Sequence, residues 1–547
     1  MDAPRGTGSP ECCRLLFLWA PARLVRQEAV GEVGAMKRLA LVLLPVAVIA
    51  TSVVFLISLG AAASPGDTWT VPAALNSNAA SDSGADGAPH VTTDGAGNWV
   101  AVWDYADDPN HGTDWDILAA RSADNGVTWT APAALNSNAA TDSGNDWSPQ
   151  VTTDGAGNWV AVWWSEDDLG GTIGTDGDIL VSRSTDYGAT WTAAATLNTN
   201  AATDSGYDVS PEVTTDGASN WVAVWQSGDS LGGTIGTDYD ILVSRSTDNG
   251  ATWTAPVALN TNAASDSGED LAPQVTTDGA GKWLAAWHSY GTFGWDYDIV
   301  VSRSTNNGAT WTAPAALNSN AASDSGWDYA PELATDGAGN WVAVWQSNEN
   351  LGGTIGTDPD ILVARSTDNG VTWMAPAALN SNAASDSGPD YTPNVATDGA
   401  GNWVAVWDSE DSLGGTIGTD GDVLVSRSTD NGATWTAVGT LNTNAANDSG
   451  HDAFPRVATD GAGNWLTVWE SNENLGGTIG TDRDILGSRS PAPAVGGTIE
   501  FQSDASAPSA QQSDSAVPPY GALSGIAAGA AIAIAASAWY ARRRWVR

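Results

Sequence analysis

Seven times along this chain a proline opens a short apolar run, and the residue after it differs between copies: His90, Gln150, Glu212, Gln274, Glu332, Asn394 and Arg456. A catalytic centre has to break the symmetry of a repeat, so a variable slot in a regular pattern is where reactive groups are expected. Glu212 and Glu332 are the two carboxylates of the slot. Paired carboxylates hydrolyse glycosidic bonds when roughly 5–9 Å apart. These two fall two repeats apart, which argues against that spacing. With His90 and Arg456 they form the candidate catalytic set; polar lining of a channel is the other reading.

Two further patterns could bind. The first is a ring of aspartates just ahead of each proline-led run: Asp86, Asp146, Asp208, Asp270, Asp328, Asp390 and Asp452. Asp-x-Asp pairs such as Asp176/Asp178 and Asp238/Asp240 lie in neighbouring loops. Hard oxygen ligands on glycine-containing loops can hold calcium, but the D-S-G-x-D spacing lacks the full EF-hand ligand pattern. Solvated turns with local Asx hydrogen bonds are the alternative. The second is a set of unrepeated aromatics in the same loops: Trp115, Trp147, Trp164, Trp295 and Trp327, with Tyr207, Tyr239, Tyr297, Tyr329 and Tyr391. Aromatic faces beside Asp and Asn suit sugar rings, whose C–H faces stack while their hydroxyls hydrogen-bond. Anchoring of each loop by its own aromatic is the competing reading.

Composition narrows the partners. The chain has 547 residues, a net charge of −44 and 29 tryptophans. Lys37 and Lys282 are its two lysines. Such acidity repels nucleic acid and anionic membrane surfaces, while the tryptophans and regular apolar runs argue for a folded chain rather than a disordered one. Residues 1–35, which hold both cysteines, read as a leader outside the fold. Residues 36–63 read as a secretory signal, with an uncleaved anchor as the alternative. Residues 491–520 read as a flexible Ser/Ala/Pro-rich stalk. Residues 521–541 carry no charge and are long enough to span a bilayer, and the basic tail 542–547 should stay cytoplasmic. The expectation is an extracellular domain held at the cell surface by a C-terminal helix.

The elements that position these residues repeat. Trp69, Trp129, Trp191, Trp253, Trp311, Trp373 and Trp435 are separated by 60, 62, 62, 58, 62 and 62 residues, a period that means repeated supersecondary units. Each unit offers four strand-like pieces, typified by Pro149–Asp154, Trp159–Trp163, Asp178–Ser184 and Thr190–Leu197. Alternation in WVAVW puts Trp159, Ala161 and Trp163 on one face and Val160 and Val162 on the other. Both faces are apolar, so each sheet must be covered twice. Four-stranded sheets stacked around an axis meet that demand. The first three pieces occur seven times, and an unpaired fourth piece stands at Gly66–Leu75. The reading is an all-β, seven-bladed β-propeller over about residues 67–490, with residues 67–75 completing the last blade. A six-bladed ring with one odd unit is the alternative.

Between third and fourth pieces the chain writes S-x-D-x-G-x-T-W, as in Ser246–Trp253. This resembles the Asp-box (BNR) repeat of sialidase-like propellers. The resemblance implies a structural role for Asp124, Asp186, Asp248, Asn306, Asp368 and Asp430, on the face opposite a ligand site. It also raises exo-sialidase activity, which in that family uses an arginine triad, a Tyr–Glu pair, an acid/base Asp and an Arg-Ile-Pro motif. This sequence has no Arg-Ile-Pro. Seven of its nine propeller arginines occupy one repeated slot beside the box, leaving Arg456 and Arg483 out of register. The reading is therefore a recognition module for glycan or another extracellular polymer. An exo-glycosidase, sialidase or otherwise, is the first alternative; a structural envelope protein with calcium in its acidic loops is the second.

Overall fold

A computed structural model describes residues 68–106, 114–141, 143–323 and 325–490. The leader, signal segment, stalk, spanning segment and basic tail expected from the sequence lie outside the described residues.

The repeat becomes seven four-stranded antiparallel sheets, six of them ordered as they run in the chain. In blade 2 the strands are Asp146–Thr153, Trp159–Ser165, Asp178–Ser184 and Ala195–Thr196. Blade 7 takes three strands from the C-terminal end, Asp452–Thr459, Trp465–Ser471 and Asp484–Ser490, and its fourth from Ala73–Ala74. Ala73 pairs with Gly487 and Ala74 with Leu486. Thr70 N also donates to Arg489 O at 2.8 Å, and Leu75 N to Ile485 O at 2.7 Å. The ring is closed as expected.

The apolar alternation of the second strand builds the core. Val100 and Val102 of blade 1 pack against Trp159, Ala161 and Trp163 of blade 2. The same contact returns at the closure, where Leu466 and Val468 of blade 7 meet Trp99, Ala101 and Trp103 of blade 1. Every WVAVW-type tryptophan is buried, and burying such side chains is the main favourable term of the fold.

Two local departures aim side chains. The fourth strand is shorter than the sequence suggests, at two residues. An asparagine side chain ends the ladder: Asn198 Oδ1 takes the Ile179 N–H at 3.1 Å, where a further strand residue would otherwise bond. In the first strand of every blade the register shifts just before the slot residue, as between Val209 and Glu212. The residue before the proline adopts positive φ (Ser210 at 54°, Ala330 at 48°). Such bulges re-aim side chains, and the preceding blade braces them: Gln226 Oε1 accepts from Ala272 N at 2.8 Å.

Candidate functional site

The slot residues do converge. Gln274 Nε2 donates to Glu212 Oε1 at 2.9 Å and to Glu332 Oε1 at 3.2 Å. Arg456 Nη1 stands 3.2 Å from Glu332 Oε1. The two glutamates are thus no farther apart than two hydrogen bonds, against the spacing that a separation of two repeats suggested. The innermost strands crowd the axis closely enough for one amide to reach both neighbours. Across the ring, His90 Nδ1 accepts from Val151 N at 3.3 Å and Asn394 Oδ1 from Val457 N at 2.9 Å. The set lies between two cavities on the axis of about 300 and 320 Å³. It crosses the channel rather than merely edging its mouth.

Burial sets the electrostatics here. Glu212 is pushed up by burial and then by repulsion from Glu332, and burial likewise raises Glu332 against the pull of Arg456. His90 falls to about 3 through burial and the nearby Arg456 cation, so its imidazole is neutral. A carboxyl pair that retains a proton, beside a guanidinium, is a chemically competent acid/base arrangement. The other out-of-register arginine, Arg483, is bound to Glu470 at 2.9 Å.

The aspartate ring expected to face the loops is instead walled into the blades. Asp86, Asp146, Asp208, Asp270, Asp328, Asp390 and Asp452 are all buried. Asn198 Nδ2 donates to both Asp208 Oδ2 and Asp178 Oδ1 at 2.7 Å, and Asn76, Asn136, Asn260, Asn318, Asn380 and Asn442 repeat the clamp. Trp103 Nε1 adds a 2.6 Å bond to Asp86 Oδ1. The ring joins loop to strand. Among the described residues, the carboxylates that gather closely enough for a metal are others: Asp176, Asp178 and Asp204, and their counterparts in four more blades. The third member precedes the expected Asp208 by four positions, so the Asp-x-Asp pairs were the better clue.

The aromatics divide. Trp147 and Trp164 are cross-strand partners with ring centroids 4.3 Å apart, both half-buried, and Tyr207 and Trp164 both flank Gly177. Trp115, Tyr239 and Tyr391 are also half-buried. A larger group spans blades 4 and 5. Tyr297 lies 5.0 Å from Tyr329, 5.2 Å from Tyr290, 5.3 Å from His288 and 6.3 Å from Trp327. Trp327 is 50% exposed, and Trp295, in the adjoining loop, is 89% exposed. Tyr297 Oη donates to Glu269 Oε2 at 3.2 Å. His288, lowered to about 4 by burial, is neutral, and its Nδ1 is buried without a partner. Sequence reasoning passed over His288 and Tyr290. The signal was the 58-residue gap, where "SYGTFGWDYD" replaces the longer acidic loop.

The boxes close on themselves. Ser246 Oγ donates to Asp248 Oδ1 at 2.7 Å, Thr252 N to Asp248 Oδ1 at 2.9 Å and Thr252 Oγ1 to Asp248 Oδ2 at 2.7 Å. Asp124, Asp186, Asp368 and Asp430 do the same. Asn306 keeps the turn by reversing one bond, its Nδ2 donating to Thr310 Oγ1 at 2.9 Å. Arg121, Arg183 and Arg245 reach the next box, as where Arg183 Nε donates to Asn249 O at 2.8 Å.

These sheets and turns define the class, a seven-bladed β-propeller with Asp-box turns. No family model matches the chain, and no curated protein matches it. Among solved structures it is similar to a protein of unknown function from Dyadobacter fermentans, at TM-score 0.45 and 14% identity, over 77% of this chain and 98% of that one. A sialidase from Streptococcus pneumoniae gives TM-score 0.40 and 11% identity, over 76% and 69%. An α-L-arabinanase from Penicillium chrysogenum gives TM-score 0.38 and 14% identity, over 62% and 92%.

Proposed function

We propose that the protein recognises carbohydrate, as an extracellular, surface-held propeller, through the aromatic patch on blades 4 and 5. The observation that carries this reading is the patch itself: Tyr290, Tyr297, Trp327 and Tyr329 meet around Tyr297, half-buried or exposed, with the far more exposed Trp295 beside them. Aromatic rings offer sugars a stacking face. Glu269, exposed beside them, offers carboxylate acceptors for hydroxyls. The half-buried Trp115, Trp147, Trp164, Tyr239 and Tyr391 and the exposed Tyr207 belong to the same loop face and would add secondary contacts.

A second reading is favoured by the amide-bridged Glu212/Glu332 pair: an exo-glycosidase working at the axis with His90 and Arg456. The two part on a simple experiment. The full-length chain is screened on a glycan array and on a panel of fluorogenic glycosides that includes an α-sialoside. Binding that is lost in Trp327→Ala without turnover supports recognition. Turnover lost in Glu212→Gln supports the glycosidase and rejects a purely binding role. No glycan retained and no turnover rejects both.

A further inference from the structure

Four blades contain a group of buried oxygens that accept and find no donor. In blade 2, Asp176 and Asp178 lie at the entry to the third strand and Asp204 lies in the turn after the fourth. One oxygen of each lies within 4.8 Å of the other two. Asp178 is 0% exposed. Its Oδ1 is taken by Asn198, while its Oδ2 is buried with no hydrogen-bond partner. Asp176 Oδ2 and Asp204 Oδ1 are in the same state. So is Asn200 Oδ1, whose amide nitrogen is already held by Asp204 Oδ2 at 2.6 Å and Asp229 Oδ2 at 2.9 Å.

The deficit is one-sided: each orphan is an acceptor, and three belong to carboxylates. A buried charge is ordinarily paired or bound to a metal, and what is missing here is positive. The pattern recurs atom for atom at Asp238, Asp240, Asp266 and Asn262, and again in blades 5 and 6. The loop is shaped for the task as well, since any side chain at Gly174 would collide with Asp176 Oδ1.

We propose that these clusters, together with the matching carboxylate group of blade 7, are calcium sites, one in each of these five blades. The ligand atoms are all hard oxygens, from carboxylates and an amide, with no nitrogen or sulfur among them. That donor set selects calcium over zinc or copper, and loops contributing several oxygens suit its high coordination number. The fifth site has a distinct consequence. It joins Asp82, which follows the N-terminal closing strand, to Asp482 and Asp484 of blade 7. Calcium there ties the two ends of the propeller together.

The test uses the full-length chain, stripped with a chelator and dialysed against graded calcium chloride, with bound calcium measured by elemental analysis. The expected result is at least five calcium ions per chain and a melting temperature that rises with calcium. Asp176→Asn and Asp238→Asn should each remove one ion, and the double variant two. No calcium above the dialysate overturns the proposal, as does a stoichiometry unchanged in both variants. If a variant does not fold, the wild-type count alone decides.

Discussion

Glu212 and Glu332 project from first strands two blades apart, yet they meet on one nitrogen, Gln274 Nε2, at 2.9 and 3.2 Å. Their closeness makes the axis of this propeller responsive to pH. Burial raises Glu212 from 4.5 to about 8, so the folded state holds a proton that the unfolded chain releases at lower pH. The protonated carboxyl therefore contributes stability that is fully present below pH 4.5 and is lost as pH rises through about 8. Glu212→Gln, which mimics the protonated form, should raise the melting temperature relative to wild type at pH 8.5 and leave it nearly unchanged at pH 4. An equal shift at both values would show that the pair carries no retained proton.

The box aspartates act in the opposite direction. Asp248 is lowered to about 2, chiefly by hydrogen bonds from Thr252 and Ser246 that outweigh desolvation. Its contribution is present above pH 3.8 and is lost as pH falls through about 2. At neutral pH, Asp248→Ala should cost about 1 kcal/mol, the usual loss for a local side-chain-to-backbone cap. Asp248→Asn should cost less, because Asn306 already holds the same turn with an amide. Chemical denaturation of the two variants checks the order.

Closure of the ring can be weakened at one side chain. Leu75 is buried in the core shared by blades 7 and 1, and its N–H donates to Ile485 O. Leu75→Ala should destabilise by about 2–5 kcal/mol, in the range for buried leucine truncations. Val71→Ala, at an exposed position a few residues earlier, should change stability by less than about 0.5 kcal/mol. Similar melting temperatures for the two variants would mean that the N-terminal strand is not part of the cooperative unit.

Much of this architecture was legible because it repeats. The period of the box tryptophans gave the repeated unit, the sevenfold recurrence of its first three strand pieces gave the blade count, the two-faced WVAVW pattern gave the stacking, and the orphan "GDTWTVPAAL" gave the closure. The site was harder to read, since it depends on distances between repeats. Nothing in the spacing of Glu212, Gln274 and Glu332 says how tightly seven innermost strands crowd an axis. The grouping of the loop acids was hidden for a related reason. Asp204 and Asp208 both lie in one acidic turn, and only the fold shows that Asn198 claims Asp208 while Asp204 turns toward Asp176. Tyr290 and His288 were visible as an irregular repeat, but their packing against Tyr297 was not.

The most direct test of carbohydrate recognition is a calorimetric titration of the full-length chain with the glycan best retained on an array, repeated with Trp327→Ala and Tyr297→Ala. If the patch on blades 4 and 5 is the binding surface, each substitution should weaken binding at least about tenfold, the equivalent of roughly 1.4 kcal/mol. Melting temperature should stay near the wild-type value in Trp327→Ala, whose side chain is half-exposed. Unchanged affinity in both folded variants would contradict the assignment and return attention to Glu212 and Glu332 at the axis.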